Sequence, residues 1–485
     1  MKESSRFYSS LGLLVILNAV IKPVWIFGID RQVQNTVGVA EYGNYFALFN
    51  LSIVFSFLLD WGLTSFFNTQ LASQKEQFIH KAGHFLFIKL LFAFIYAAVV
   101  GIAAFVSGVE RWDIVAGVIL IQVFTSLFIF FRSIITAEQW FTTDAWLSVL
   151  DKTLMIGLCG AFLFFPLVLG AMNIQSFLWS QVTCTALAGF TAWSILFKKG
   201  VRFSLNVTGV LFDKKIFYAA LPYAIIILLM SMHYRLDGFL LERVHPNGNH
   251  ETGIYAGAYR LLDASNMITF LFSSFLLPYI ARQWSKKEDI KKVVLTLRHL
   301  LIVYAIVITG ITVYLAPEIQ QLLYHHTDAS SVGVLQWCIP ALIGYTLVSI
   351  YGTVLTATGH IRAFGAITLV AVLINIILNF LLIPSLGAKG CCIAALISQL
   401  ICGIATMIYT KQKLMISFHA SSLLIYIFIG VVWVAVFYAG GSWSLDKFAT
   451  VIAGVLITLL IMIATRLIKA SQWISFFKAQ LSTSK

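Results

Sequence analysis

Residues 84–107 read HFLFIKLLFAFIYAAVVGIAAFVS, and after the link GVERW residues 113–137 read DIVAGVILIQVFTSLFIFFRSIITA. Both runs are apolar almost throughout, and each carries one basic residue, Lys89 in the first and Arg132 in the second. A helix needs about 20 mainly apolar residues to cross a bilayer, whereas a barrel strand needs about 10 with alternating polarity. These runs have helix length and no alternation. They read as two membrane-crossing helices joined by a tight outer turn.

The same reading extends over the whole chain. Apolar runs fall near 7–29, 43–67, 84–107, 113–137, 146–168, 173–197, 217–241, 254–280, 295–315, 332–357, 363–384, 389–409, 420–438 and 447–466, fourteen in all. Hydrophobic residues make up 60% and charged residues 11% of the 485, with a mean hydropathy of +0.90. Soluble domains carry about 25% charged residues, so a soluble protein is excluded. The expected fold class is all-α and polytopic, with about fourteen transmembrane helices.

Lys and Arg outnumber Asp and Glu by 33 to 20. The surplus is not spread as a nucleic-acid-binding surface would need. Alternate gaps, counted with the run edges that face them (Arg132 and Lys152 at the edges of the fourth), hold 24 of the 33 cations, the other gaps and their edges 5, and the run interiors 4 (Lys22, Lys89, Arg235 and Arg260). Basic residues gather in cytoplasmic loops. Both termini are therefore expected in the cytoplasm, with the protein multi-pass in the cell inner membrane. The first run reads as an uncleaved span, because a signal peptide has a shorter apolar core and a small-residue cleavage site.

The longest polar stretch, 198–216, follows six spans and precedes eight. It divides the chain into an expected N-terminal lobe (1–200, spans 1–6), a C-terminal lobe (201–415, spans 7–12) and an appended helix pair with its tail (416–485). Glu41-Tyr42-Gly43-Asn44-Tyr45 at the start of span 2 is echoed by Gly253-Ile254-Tyr255-Ala256-Gly257-Ala258-Tyr259 at the start of span 8. Duplicated halves are common in secondary transporters. The six cysteines lie in apolar segments without metal or disulfide spacing. No nucleotide-binding or zincin motif occurs, and no cofactor is expected.

Charges inside apolar runs are costly and mark candidate functional positions. Lys22, Arg235 and Arg260, from spans 1, 7 and 8, are placed roughly 9–14 Å below the outer surface by helical rise. Two readings of them stand side by side: buried ion pairs with snorkelling stems, or a cationic cavity for an anionic ligand. Asp237 and Asp263 lie at similar depth, and Asp263 shares a helix face with Arg260. Asp60, toward the cytoplasmic end of span 2, either binds a coupling cation or caps the bend at Trp61-Gly62-Leu63. Lys89 and Arg132, near cytoplasmic ends, read as snorkelling. His325, His326 and Asp328 read as a solvated loop, and Asn375 and Asn379 as interhelical hydrogen-bonding groups. Pro23, beside Lys22, is expected to kink span 1.

Three stretches resemble polysaccharide-export flippases, the O-antigen-flippase-like branch of the multidrug/oligosaccharidyl-lipid/polysaccharide exporter superfamily. They are Tyr42-Gly43-Asn44-Tyr45 with Leu59-Asp60-Trp61-Gly62-Leu63, then Gly253 to Arg260 with Leu277-Pro278, and Asn375…Leu378-Asn379…Leu382-Ile383-Pro384…Gly387…Gly390. Cys391-Cys392 stand where the family more usually has alanines. The resemblance implies a MATE-like, two-lobed transporter, not an enzyme, working by alternating access. Its implied cargo is a polyprenyl-diphosphate-linked oligosaccharide moved to the outer leaflet for cell-surface polysaccharide such as lipopolysaccharide O-antigen. Lys22, Arg235 and Arg260 would then bind the head group, and Asp60, Asp237 and Asp263 would serve coupling or charge balance. Expected partners are the lipid-linked oligosaccharide, membrane lipid and glycan-assembly enzymes; a monomer is expected, with no nucleic acid. The alternatives are a peptidoglycan-precursor flippase, a drug/cation antiporter and a membrane glycan polymerase or ligase.

Overall fold

A computed structural model describes residues 2–61, 82–201, 214–325, 327–416, 420–442, 446–465 and 467. Most of the 198–216 stretch, Gly62-Leu63, His326 and the basic tail beyond Leu467 lie outside them. The described residues are helical throughout, with no strand.

The first span is longer than its apolar run. Helix α1 (Lys2–Pro23) passes directly into a π-helical segment (Val24–Asp30) and then α2 (Arg31–Val37). Proline lacks an amide hydrogen, so Pro23 removes one rung of the α-ladder, and the wider register follows it. Gly38, at φ +91°, turns the chain into α3 (Val39–Val54), which tightens into a 3-10 segment (Phe55–Leu59). Next come α4 (Ala82–Val106), α5 (Trp112–Ala137), α6 (Phe141–Phe164), the four-residue α7 (Pro166–Leu169), α8 (Ile174–Lys198), α9 (Lys214–Val244) and α10 (Gly248–Ser285). After these lie α11 (Lys291–Tyr314), α12 (Ala316–Leu323), α13 (Ala329–Cys338), α14 (Ala341–Ala357), α15 (Ile361–Leu386), α16 (Ala388–Leu414), α17 (Ala420–Ser442) and α18 (Lys447–Ala464).

Thirteen helical segments among the described residues are long and apolar enough to cross a membrane. The expected sixth span, α8, has the length but is more polar. Its polar groups are turned inward: Ser180, Gln181 and Thr185 are buried, and Thr185 bonds back to the Gln181 carbonyl at 2.7 Å. Hydropathy alone underrates such a helix.

The chain forms two compact units, Met1–Gly253 and Ile254–Lys485. In the first, α5 packs on α8, α1 on α6, and α3 on α9. Its interior is aromatic: Trp25 stacks on Phe177 at 6.0 Å, and Tyr45 meets Phe177 edge-on at 5.3 Å. In the second, α16 packs against both α14 and α15, and α11 against α14 and α17. The Asn375-to-Gly390 stretch makes the α15–α16 hairpin. Gly387 turns it at φ +54°, and a Cβ on Gly390 would meet the Leu382 carbonyl oxygen at 2.6 Å. Asn375 donates across the hairpin to Ser398 at 3.3 Å, and Asn379 donates to the Asn375 carbonyl at 3.0 Å. All six cysteines are buried free thiols. Val370, Leu373, Ile377 and Leu381 form an exposed stripe along α15 at helical spacing, the surface offered to lipid.

Candidate functional site

Lys22 sits on α1, two residues before the π-helical segment. Ile16, Val20 and Val24 form the exposed apolar stripe of this helix. Two residues rotate a helix by about 200°, so Lys22 points away from that stripe and from lipid. Helix α6 packs along α1, and Asp151, Lys152 and Arg132 are the charged groups that bear on Lys22. Lys152 lies 3.2 Å from Asp151 and 5.5 Å from the Trp25 ring centre. Arg132 pairs with Asp144 at 2.8 Å, so it does not snorkel as expected. Asn18, one turn from Lys22, donates to Ser148 on α6 at 2.8 Å. Lys152, Arg132 and Asp151 thus bear on Lys22, and Arg132 is held in turn by Asp144. Sequence reading took Arg132 as snorkelling, did not single out Lys152, and missed their link to Lys22. The signal was present: Asp144, Asp151 and Lys152 all lie in or beside the fifth apolar run.

Arg235 and Asp237 lie on α9 in the same unit. Asp237 is 1% exposed, and His233, one turn before it, is fully buried. Both lie on a helix that packs on α3. Arg235, two residues from each, is turned elsewhere and is half-buried. Arg260 and Asp263 belong to the second unit, one turn apart on α10 and both half-buried.

Lys22 is 15 residues from Val37, Arg235 nine from Val244, and Arg260 twelve from Gly248. At 1.5 Å per residue these are about 22, 14 and 18 Å along the helices from those ends.

Asp60 follows the 3-10 segment and meets Lys89. The Lys89 ammonium lies 2.7 Å from the Asp60 carboxylate, 3.1 Å from Ser126 Oγ and 3.2 Å from the Leu59 carbonyl oxygen. Lys89 is 4% exposed, so it does not snorkel; it holds the end of α3 by charge and by capping a carbonyl left open there. Asp30 is another group that sequence reading missed. It closes the π-helical segment, is 1% exposed, and accepts a 2.9 Å hydrogen bond from Tyr42. Asp328 is a helix cap: it accepts from the Ser331 amide at 2.7 Å and starts α13. No group of three potential metal ligands occurs among the described residues.

The MatE family model matches residues 222–381. No curated protein matches the sequence. Among solved structures, an inward-facing multidrug resistance MATE family transporter of the MOP superfamily superposes with a TM-score of 0.64 at 15% identity, over 80% of this chain and 94% of that one. The lipid II flippase MurJ, in an inward closed conformation, superposes at 0.61 and 16% identity, over 97% of this chain and 99% of its own. A MOP superfamily transporter from Pyrococcus furiosus superposes at 0.53 and 14% identity, over 84% and 92%. This multi-pass membrane protein has the all-helical fold shared by MATE transporters and the MurJ flippase.

Proposed function

We propose that the protein is a flippase that moves a polyprenyl-diphosphate-linked oligosaccharide from the inner to the outer leaflet by alternating access. The carrying observation is Lys22, turned away from lipid deep in the first span and grouped with Arg132 and Lys152 against two carboxylates. Unbalanced positive charge inside an apolar protein suits a ligand that brings phosphate. Lys22, Arg235 and Arg260 are assigned to the head group, with Arg132 and Lys152 behind Lys22. Asp237 and Asp263 are assigned to charge balance or ion coupling, and Asp60 to holding Lys89. The lipid tail stays in the bilayer, which removes the need for a large apolar pocket. The inner membrane, cytoplasmic termini and the lobes 1–200, 201–415 and 416–485 belong to this reading.

A peptidoglycan-precursor flippase is the second reading, favoured by a likeness to the lipid II flippase that runs over nearly the whole chain. A cation exporter fits less well, since cations outnumber carboxylates around Lys22. The test is movement of defined lipids in proteoliposomes holding only this protein, with wild type beside Lys22→Gln, Arg235→Ala and Arg260→Ala. Undecaprenyl-diphosphate oligosaccharide should move, lipid II should not, and each variant should lower the rate. Movement of lipid II alone would install the second reading. Full rates in all three folded variants would sink the cationic site.

A further inference from the structure

The two glycines of the sequence echo, Gly43 and Gly253, meet in space. A Cβ added to Gly43 would fall on the Asn249 carbonyl oxygen and 2.6 Å from the Gly253 amide nitrogen. A Cβ added to Gly253 would fall on the Val39 carbonyl oxygen and 2.6 Å from a Val39 methyl. The first turns of α3 and α10 therefore touch backbone to backbone, an approach that only glycine permits. Polar bonds flank the crossing. Buried Gln34, in the middle of α2, donates to the Gly253 carbonyl at 2.8 Å, and Asn44 donates to Asn249 at 3.2 Å. All these residues lie in the first unit, at the end that the charge pattern assigns to the outside.

We infer that this glycine crossing is a latch that holds the outer ends of α3 and α10 together and parts once in each transport cycle. The inference rests on the flippase reading for its role in transport, but its geometry stands without it. The side chains beneath the crossing are apolar and sealed: Ala47, one turn below Gly43 on the same face, has no exposed surface. The contact is made of backbone, the three amide side chains of Gln34, Asn44 and Asn249, and a Val39 methyl. Such a joint closes fully and separates without repacking a core. A substituent at either glycine acts only on the closed state, so it shifts the population toward the parted one.

The test uses Ala47→Cys as a reporter for a membrane-impermeant maleimide added from outside; the native cysteines are all buried. Labelling should be slow with both glycines present and about tenfold or more faster with Gly43→Ala, since a shift of one decade in population is expected of so direct an overlap. In a second arm, Asn44→Cys/Asn249→Cys is bridged by a short bifunctional methanethiosulfonate that reductant removes. Bridging should stop reporter labelling and stop movement of lipid-linked oligosaccharide, and reduction should restore both. Unchanged labelling in folded Gly43→Ala protein, or full transport by bridged protein, would overturn the latch. A protein that moves no cargo in any form but keeps the labelling contrast retains the latch and loses the flippase reading.

Discussion

The Lys89–Asp60 pair yields a prediction whose asymmetry can be worked from its geometry. Lys89 is 3% exposed in its side chain and makes three polar contacts, while the Asp60 side chain is 29% exposed. Replacing Asp60 by Asn leaves an ammonium sealed among Phe130, Ser126 and a carbonyl. Breaking a buried pair in that way costs about 3–5 kcal/mol. Replacing Lys89 by Met leaves a carboxylate that still reaches solvent, at a cost nearer about 1–2 kcal/mol. Asp60→Asn should therefore destabilise more than Lys89→Met by about 2 kcal/mol, and adding Lys89→Met to Asp60→Asn should recover most of the loss. The assay is the folded fraction of purified protein against increasing SDS, with transport measured on the same preparations. Equal costs for the two single variants would refute the clamp. Asp60→Asn that keeps full stability and loses transport would assign Asp60 to ion coupling instead.

Three further outcomes are expected. Trp433 lies in a slot between Gly310 and Gly454, where added Cβ atoms would stand 3.0 and 2.7 Å from its ring. Trp433→Ala should cost about 3 kcal/mol and loosen α17 and α18 from α11, read as faster proteolysis of the C-terminal helices. Asn375→Ala removes the bonds to Ser398 and Asn379 and should cost about 1 kcal/mol in the SDS assay without changing which lipid is moved. Glu318 accepts from Lys447 at the starts of α12 and α18, and that hydrogen bond holds its carboxyl below the usual carboxylate range. A depressed folded value means the contribution is complete at neutral pH and fades as pH falls below about 4. Because the pair is exposed, Glu318→Gln should shift stability by less than about 1 kcal/mol at pH 7 and by less still in acid, in thermal unfolding.

The helices were legible because a span announces itself locally, by length and apolarity. What escaped depended on partners far away in sequence. Residues 30–37, DRQVQNTV, look like a loop, yet they prolong the first span. Asp30 finds Tyr42, and Gln34 finds the Gly253 carbonyl, 219 residues away. The same holds for α8, whose Gln181 bonds Tyr45 at 2.9 Å. Lys89 reads as a snorkelling cation only while Asp60 is unseen. A buried polar group is stable when its bonding is met by tertiary contacts, and no window on the sequence contains them. The echo was visible as a pattern, but the contact between its glycines was not. Gly43 must admit the backbone of Asn249 and Gly253, and Gly253 that of Val39.

This dependence also bears on the cationic interior. Had the charges of the first unit been placed only to join helices, each cation would have its own carboxylate, as Lys89 has Asp60 and Arg132 has Asp144. Asp151 stands closest to Lys152, and Lys22 makes no ion pair within 4 Å among the described residues. A charge kept deep in an apolar helix, turned from lipid and left with a shared counter-ion, costs stability. Such a cost is tolerated where a ligand supplies the missing charge. An anionic cargo does so on binding and withdraws it on leaving, which makes the charge state of this interior differ between loaded and empty protein. Under the proposed function, the cation cluster around Lys22 receives a transported anion rather than a structural one. Lys22→Gln should raise the SDS stability of the empty protein while lowering transport; a loss of both would return Lys22 to the scaffold.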